Sequence, residues 1–245
     1  MRDYLNLKFS DLPKAFVEQE AKPDAQFILA AFPHGCNSEF RVLMEGCIQN
    51  VMPNIVQKNN LRTLAASVLF MIPLIREICL WTGCIDANRK TAEKALDRGR
   101  SLLVLPGGEA EQLLTTYGKE QVYVGSRKGF IKLAMRKKVK VVPIYVFGSS
   151  DMVYTSSILY RPRKWLMKNL GVCFPLCRGV LGTFCPLPKA VTIAFGSPLA
   201  FEMKGNDPTE EELNKAHEMF CNELKALFDS HKQRLGYGDR ELRMI

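Results

Sequence analysis

The stretch FILAAFPHG, residues 27 to 35, decides the fold. Six consecutive apolar residues closed by Pro33 and Gly35 form a short run without a polar face, which suits a buried strand ending in a turn. Working outward, runs of the same kind recur. SLLVL at 101–105 ends in Pro106-Gly107-Gly108, VKVVPIYVF spans 139–147, VTIAFG spans 191–196, and a further strand is expected near 61–66. Between them lie helical patterns: Asn37 or Ser38 to about Asn50, a helix from about Pro73, Arg89 to Arg98, Glu109 to Leu114, and Arg127 to Lys137. A long amphipathic helix from Thr209 to Leu235 opens with an acidic run that suits a helix N-terminus. Near-continuous apolar strands alternating with helices predict a single-domain α/β sheet with helices on both faces. The expected division is a lead-in over 1–25 and one domain over 26–245. Residues 160–188, with four prolines and little periodicity, read as a long surface excursion.

Charge narrows the partners. The 245 residues carry 34 Lys and Arg against 25 Asp and Glu, a formal +9. The excess sits in one block, because Gln121 to Phe201 holds 13 basic residues and a single acid, Asp151. Such asymmetry points to a polyanion: nucleic acid, an anionic membrane surface or a phosphate-rich small molecule. Nucleic acid is disfavoured, since the RNA-recognition signature, helix-turn-helix spacing and zinc ligands are missing. The longest stretches without a formal charge, Ala25 to Ser38 and Thr63 to Ile75, fall short of the roughly 20 apolar residues of a spanning helix. No secretory signal is visible at the N-terminus. Eight cysteines without a Cys-x-x-Cys read as reduced and structural rather than as disulfides or a metal site.

Four blocks carry chemistry. His34 lies where the first strand breaks into a helix, and Gly35 beside it allows close backbone approach. Glu39 follows five positions on, one helical turn away, so its carboxylate could hold the imidazole tautomer and make a general base. Gly107 and Gly108, between strand and helix, can present successive N–H groups to an oxyanion or phosphate. In SRKGFIKLAMRKK, residues 126 to 138, Lys128, Lys132 and Arg136 share one helical face. The block GCIDANR, 83 to 89, reads as a turn ending in Arg89, which either forks a phosphate or pairs locally with Asp86 or Glu93.

These blocks, in this order and spacing, resemble the type 2 diacylglycerol acyltransferase family, which includes monoacylglycerol and wax-alcohol acyltransferases. FPHG is similar to its His-Pro-His-Gly block, REICLWTGCIDANRKTAEKAL to its Arg-rich second block, LPGGEAEQLL to its Gly-Gly-x-x-Glu block, and SRKGFIKLAMRKKVKVVPIYVFG to its most specific one. The closing FDSHKQRLGY is similar too, so the resemblance covers about Gln26 to Gly236. It implies a glycerophosphate-acyltransferase-like fold, His34 as the catalytic histidine, and Glu111 as the acid of the Gly-Gly-x-x-Glu block. In that fold group the histidine is paired with an acid after four intervening residues, the spacing of Glu39. The resemblance further implies transfer of an acyl chain from acyl-CoA to a neutral lipid hydroxyl, most of all that of diacylglycerol. No bound cofactor or metal is expected. Other readings are a monoacylglycerol or long-chain-alcohol acceptor, or an idle lipid-binding relative. Arg127, Lys128, Lys132 and Arg89 are the expected contacts of the coenzyme A phosphates, and Gly35, Gly107 and Gly108 of the oxyanion. Arg161, Arg163, Lys164 and Lys168, flanking Trp165-Leu166-Met167, suit a basic face on anionic lipid, at the cytosolic side of the endoplasmic reticulum membrane. Two departures stand out: Phe32 replaces the first histidine of the usual doublet, and no hydrophobic hairpin stands ahead of the first strand.

Overall fold

The computed structural model describes all residues except 1, 2, 37–40, 42, 43, 45, 46, 58, 59, 171, 172, 174 and 175. Its strands are β1 (Lys8–Phe9), β2 (Phe27–Phe32), β3 (Leu61–Ala65), β4 (Cys84–Asp86), β5 (Ser101–Val104), β6 (Gln121–Val122), β7 (Lys140–Phe147), β8 (Tyr154–Thr155), β9 (Cys177–Arg178), β10 (Thr192–Phe195) and β11 (Arg243–Met244). The helices are α1 (Lys14–Glu20), α2 (Pro53–Gln57), α3 (Ile75–Trp81), α4 (Arg89–Asp97), α5 (Gly108–Leu114), α6 (Gly129–Lys137), α7 (Tyr160–Leu170) and α8 (Glu210–Lys232).

Seven strands form the main sheet in the order β1-β10-β7-β2-β5-β3-β4. From β7 to β4 every pairing is parallel, whereas β10 runs antiparallel to β7 and carries β1 on its far edge. The run FILAAF is therefore central, as its two-faced apolarity requires. Alternation along β2 divides it between two cores. Ile28, Ala30 and Phe32 pack with residues of α4, α6 and α8. Phe27, Leu29 and Ala31 pack on the other face with Phe16 of α1 and Ile55 of α2. The expected α/β sheet covered on both faces is the observed one.

Local chemistry sets several boundaries. The Asn88 side chain accepts the Thr91 N–H at 2.9 Å and starts α4. Thr209 and Glu212 form a reciprocal capping box at the start of α8, each side chain accepting the other's backbone N–H. Three elements differ from the sequence expectation. The turn expected in block 83–89 contains an edge strand, β4, paired to β3 with Ala65 opposite Asp86. The excursion from Tyr160 contains the helix α7, in which Pro162 falls in the first turn and so breaks no internal hydrogen bond. The segment before α3 is a 3₁₀ helix, Ser67–Met71, rather than a direct entry at Pro73.

Candidate active site

Because β5, β2 and β7 are adjacent and parallel, the loops after them meet at one edge of the sheet. Ala30 is level with Val104 and Phe32 with Tyr145, so Pro33-His34-Gly35, Leu105 to Gly108, and Gly148-Ser149 are neighbours. Gly35 has φ +70°, and a Cβ on it would stand 2.7 Å from Ser149 Oγ, so both its conformation and its surroundings call for glycine. The carboxyl ends of parallel strands are where open α/β sheets place ligands.

Glu111 is buried, and its carboxylate spans two loops. One oxygen accepts the backbone N–H of His34 and the other that of Tyr123, the latter at 2.6 Å. The acid therefore holds the main chain of His34 in place. The contact that Glu111 makes here runs to the main chain of His34, with the carboxylate on the backbone side of the residue. Gly107 makes this arrangement sterically feasible: a Cβ there would lie 2.7 Å from Glu111 Cβ and overlap the carboxylate. The spacing Gly-x-x-x-Glu thus has a mechanical meaning, since one helical turn returns the side chain onto the glycine. Burial pushes the Glu111 carboxyl up to about 7, opposed by the His34 and Tyr123 N–H groups and by the Arg127 charge.

His34 is half-buried, and loss of water pulls its imidazole down to about 4; the Gly35 carbonyl opposes this and the Arg41 charge adds to it. At neutral pH the ring is uncharged. Its Nδ1 lies 3.2 Å from the Gly35 carbonyl oxygen, which can only accept, so the proton belongs on Nδ1 and the lone pair on Nε2. Glu39, the other expected partner of the ring, lies outside the described residues.

His34 borders a cavity of about 1060 Å³. One part of the wall is apolar, with Leu64, Val68, Leu69, Ile72, Ile75 and Phe130. The lining also carries five cations, Arg41, Arg89, Arg127, Lys132 and Arg136, and the acid Glu109. Of the expected binding residues, Gly108, Arg89, Arg127 and Lys132 line it. Gly35, Gly107 and Lys128 are not among its lining residues, and the Lys128 Nζ donates to Asn214 Oδ1 of α8 at 2.6 Å. Arg89 also takes its local alternative, Glu93, at 2.7 Å. Gly108 donates its N–H to the Leu105 carbonyl at 3.1 Å, so it is not one of two successive donors offered to an anion. Arg127 donates through Nη2 to the Gly107 carbonyl, while its buried Nε has no acceptor among the described residues.

Arg41 and Arg136 are cavity residues that the sequence reading did not assign as sites. Arg41 donates to Cys84 Sγ at 2.9 Å, and Arg136 forks onto Asp207 at 2.5 and 2.6 Å. Arg136 was legible from its place one turn after Lys132; Arg41 had only its distance of two helical turns from His34. Phe32 points away from the site, fully buried with its ring 6.0 Å from that of Phe220. Arg163, expected on a basic lipid-facing surface, is buried instead and donates to the Ser156 carbonyl at 2.8 Å. All eight cysteines are free thiols. Among the described residues no helix is long and apolar enough to cross a membrane.

The family model for diacylglycerol acyltransferase matches residues 9–244. The chain is 33% identical over 187 residues to diacylglycerol O-acyltransferase 1 of Eremothecium gossypii, covering 72% of this chain and 41% of that protein. It is 28% identical over 271 residues to diacylglycerol O-acyltransferase 2 of Danio rerio, covering all of this chain and 70% of that one. It is also 28% identical to acyl-CoA wax alcohol acyltransferase 2 of Mus musculus, over 91% of this chain and 71% of the relative. The chain spans 41% and 50% of the length of two of the relatives it resembles, from Eremothecium and Saccharomyces. A match running almost end to end, over a sheet that gathers the histidine and Gly-Gly-x-x-Glu blocks at one edge, shows that this chain belongs to the diacylglycerol acyltransferase family.

Proposed function

We propose that the protein transfers a fatty acyl chain from coenzyme A to the hydroxyl of a neutral glycerolipid, with diacylglycerol as acceptor and triacylglycerol as product. The observation that carries this reading is His34, its backbone held by Glu111, at the edge of a cavity lined by apolar and cationic side chains. Nε2 of His34 removes the acceptor's hydroxyl proton as the oxygen attacks the thioester carbonyl. The tetrahedral oxyanion then collapses, the carbon–sulfur bond breaks, and the proton held by the imidazole goes to the departing thiolate. The Gly35 and Gly107 N–H groups are our candidates for the oxyanion donors. Glu111 acts as a positioning residue, and Glu39 is retained as the candidate partner of the ring.

Arg127 and Lys132, with Arg89, Arg41 and Arg136, suit the coenzyme A phosphates. The apolar wall suits the acyl chain. Acyl-CoA is a co-substrate in this scheme, and the setting is the cytosolic face of the endoplasmic reticulum membrane, where both substrates meet. The test is acyl transfer from labelled acyl-CoA to a panel of diacylglycerol, monoacylglycerol and long-chain alcohol, read by lipid chromatography. Wild type is expected to favour diacylglycerol, and His34→Ala to abolish turnover. Near-wild-type activity in that variant refutes the assignment. The likeness to a wax alcohol acyltransferase makes the alcohol the informative competitor.

A further inference from the structure

The segment from Ser67 to Trp81 has apolar residues on both sides. Its inner side chains, among them Leu69, Ile72, Ile75 and Cys79, line the cavity. Its outer ones face water: Trp81 is 82% exposed, Met71 79% and Leu74 77%, with Leu80 and Ile78 about half exposed. Arg76 and Glu77 are the only charged residues between Arg62 and Asp86, and they lie 3.4 Å from each other. Apart from that adjacent pair the segment is apolar on both sides, and an exposed apolar patch of this kind marks a contact with another apolar phase.

The backbone points the same way. Leu74 adopts φ +68°, a left-handed conformation that a leucine takes only at a cost, and its N–H is held by Glu77 Oε2 at 2.8 Å. That turn aims a large aliphatic side chain straight into solvent. Strain kept at such a place marks a site with a use.

We infer that Ser67–Trp81 is the surface on which the protein rests on a lipid bilayer. The Met71, Leu74 and Trp81 side chains enter the interfacial region, and the opposite side of the same fifteen residues forms the cavity wall. The inference rests on the proposed acyl transfer for its choice of partner. A diacyl acceptor and a fatty acyl chain do not travel through water, so the wall that receives them must border the phase in which they dissolve. The seven-residue α3 is about 10 Å long and cannot span. It lies in the plane, with Trp81 in the amphipathic zone that tryptophan prefers. With one cation and one anion in the segment, this contact depends on apolar burial and little on salt. A contact through the exposed Arg161, Lys164 and Lys168 of α7 would show the opposite dependence.

The chain has two tryptophans, Trp81 and the 60% exposed Trp165. Trp165→Phe leaves Trp81 as the reporter. With phosphatidylcholine vesicles brominated on the acyl chains, Trp81 emission should shift to the blue and be quenched equally at low and high salt. The double variant Met71→Ser/Leu74→Ser should lower vesicle binding about tenfold and keep its turnover on detergent-dispersed substrates. Water-exposed Trp81 emission in the presence of vesicles overturns the inference, whether or not the protein binds them. So does quenching of Trp165 in the Trp81→Phe protein with none of Trp81 in the Trp165→Phe protein, or a Trp81 shift that grows with protein concentration without lipid, which would assign the patch to a second copy. Trp81 quenching in a protein that transfers no acyl group would leave the docking surface standing and remove the proposed activity instead.

Discussion

Replacing Gly107 by alanine should change sign with the residue at 111. Gly107 has φ −59° and ψ −39°, ordinary helical angles at which alanine is favoured over glycine by about 0.5–1 kcal/mol. What forbids the methyl group is the Glu111 side chain folded onto the glycine, its Cβ as well as its carboxylate. In the wild-type background, Gly107→Ala must push that side chain aside, strand the His34 and Tyr123 N–H groups, and cost about 2–3 kcal/mol. Glu111→Gly alone strands the same two donors and adds a glycine to the helix, at about 4 kcal/mol. With the whole side chain gone, Cβ included, adding Gly107→Ala is expected to stabilise by about 0.5–1 kcal/mol. The coupling energy between the two sites is therefore about 3 kcal/mol, readable from urea unfolding of the two single variants and the double. Acyl transfer should follow, with Gly107→Ala as impaired as Glu111→Gly, by about a hundredfold if His34 moves by an ångström. Additive unfolding free energies would refute the idea that glycine serves the glutamate.

The two perturbed groups act in opposite directions on stability against pH. His34 binds fewer protons folded than unfolded between its folded value of about 4 and 6.5, so its share of stability rises with pH over that window. Glu111 binds more protons folded between 4.5 and about 7, so its share falls. Removing one exposes the other: relative to wild type, Glu111→Gln should gain about 3 kcal/mol across its window and His34→Gln lose about 3, measured by urea titrations at stepped pH. In steady-state kinetics, Arg127→Ala should raise KM for acyl-CoA about tenfold. Lys128→Ala, turned to Asn214, should change it less than about twofold, and equal effects would count against the cavity as the coenzyme A site. Arg240 donates to both Glu120 and Asp151 at 2.8 Å, and Arg240→Met leaves two buried carboxylates without their cation. The expected loss is about 3–5 kcal/mol in the urea midpoint analysis, and an unchanged midpoint would contradict it.

Where the chain repeats short apolar runs, the sequence reading and the structure agree closely. Strand Phe27–Phe32 is predicted and observed with the same ends, because six apolar residues bounded by proline and glycine have few other uses. Cys84–Asp86 escaped as a strand, since three residues carry no period and only pairing with β3 makes them one. Helix α7 was hidden by Pro162, whose effect depends on which turn it occupies. The residues before Gln26 lack a diagnostic pattern, yet β1 pairs with β10 and Phe16 is fully buried, contacts made over more than 170 residues of chain in the case of the strand pair.

The site divides in the same way. Sequence alone determined the α/β class, the family resemblance, and the residue types of the chemistry: a histidine after a strand, an acid one turn beyond a glycine, a block of cations. Those features are local, written within ten or so consecutive residues. Tertiary structure decided which atoms they present to one another. The adjacency of β2 and β5 aims Glu111 at the backbone of His34 rather than at its ring. Packing turned Lys128 onto α8, sent Arg163 inward, and brought Arg41 and Arg136 to the cavity. It also left Met71, Leu74 and Trp81 in water, where hydropathy alone would have buried them. A linear pattern reports the chemistry a residue can perform; the direction it faces is fixed by strand order and by competition for burial, which involve residues far apart in the chain.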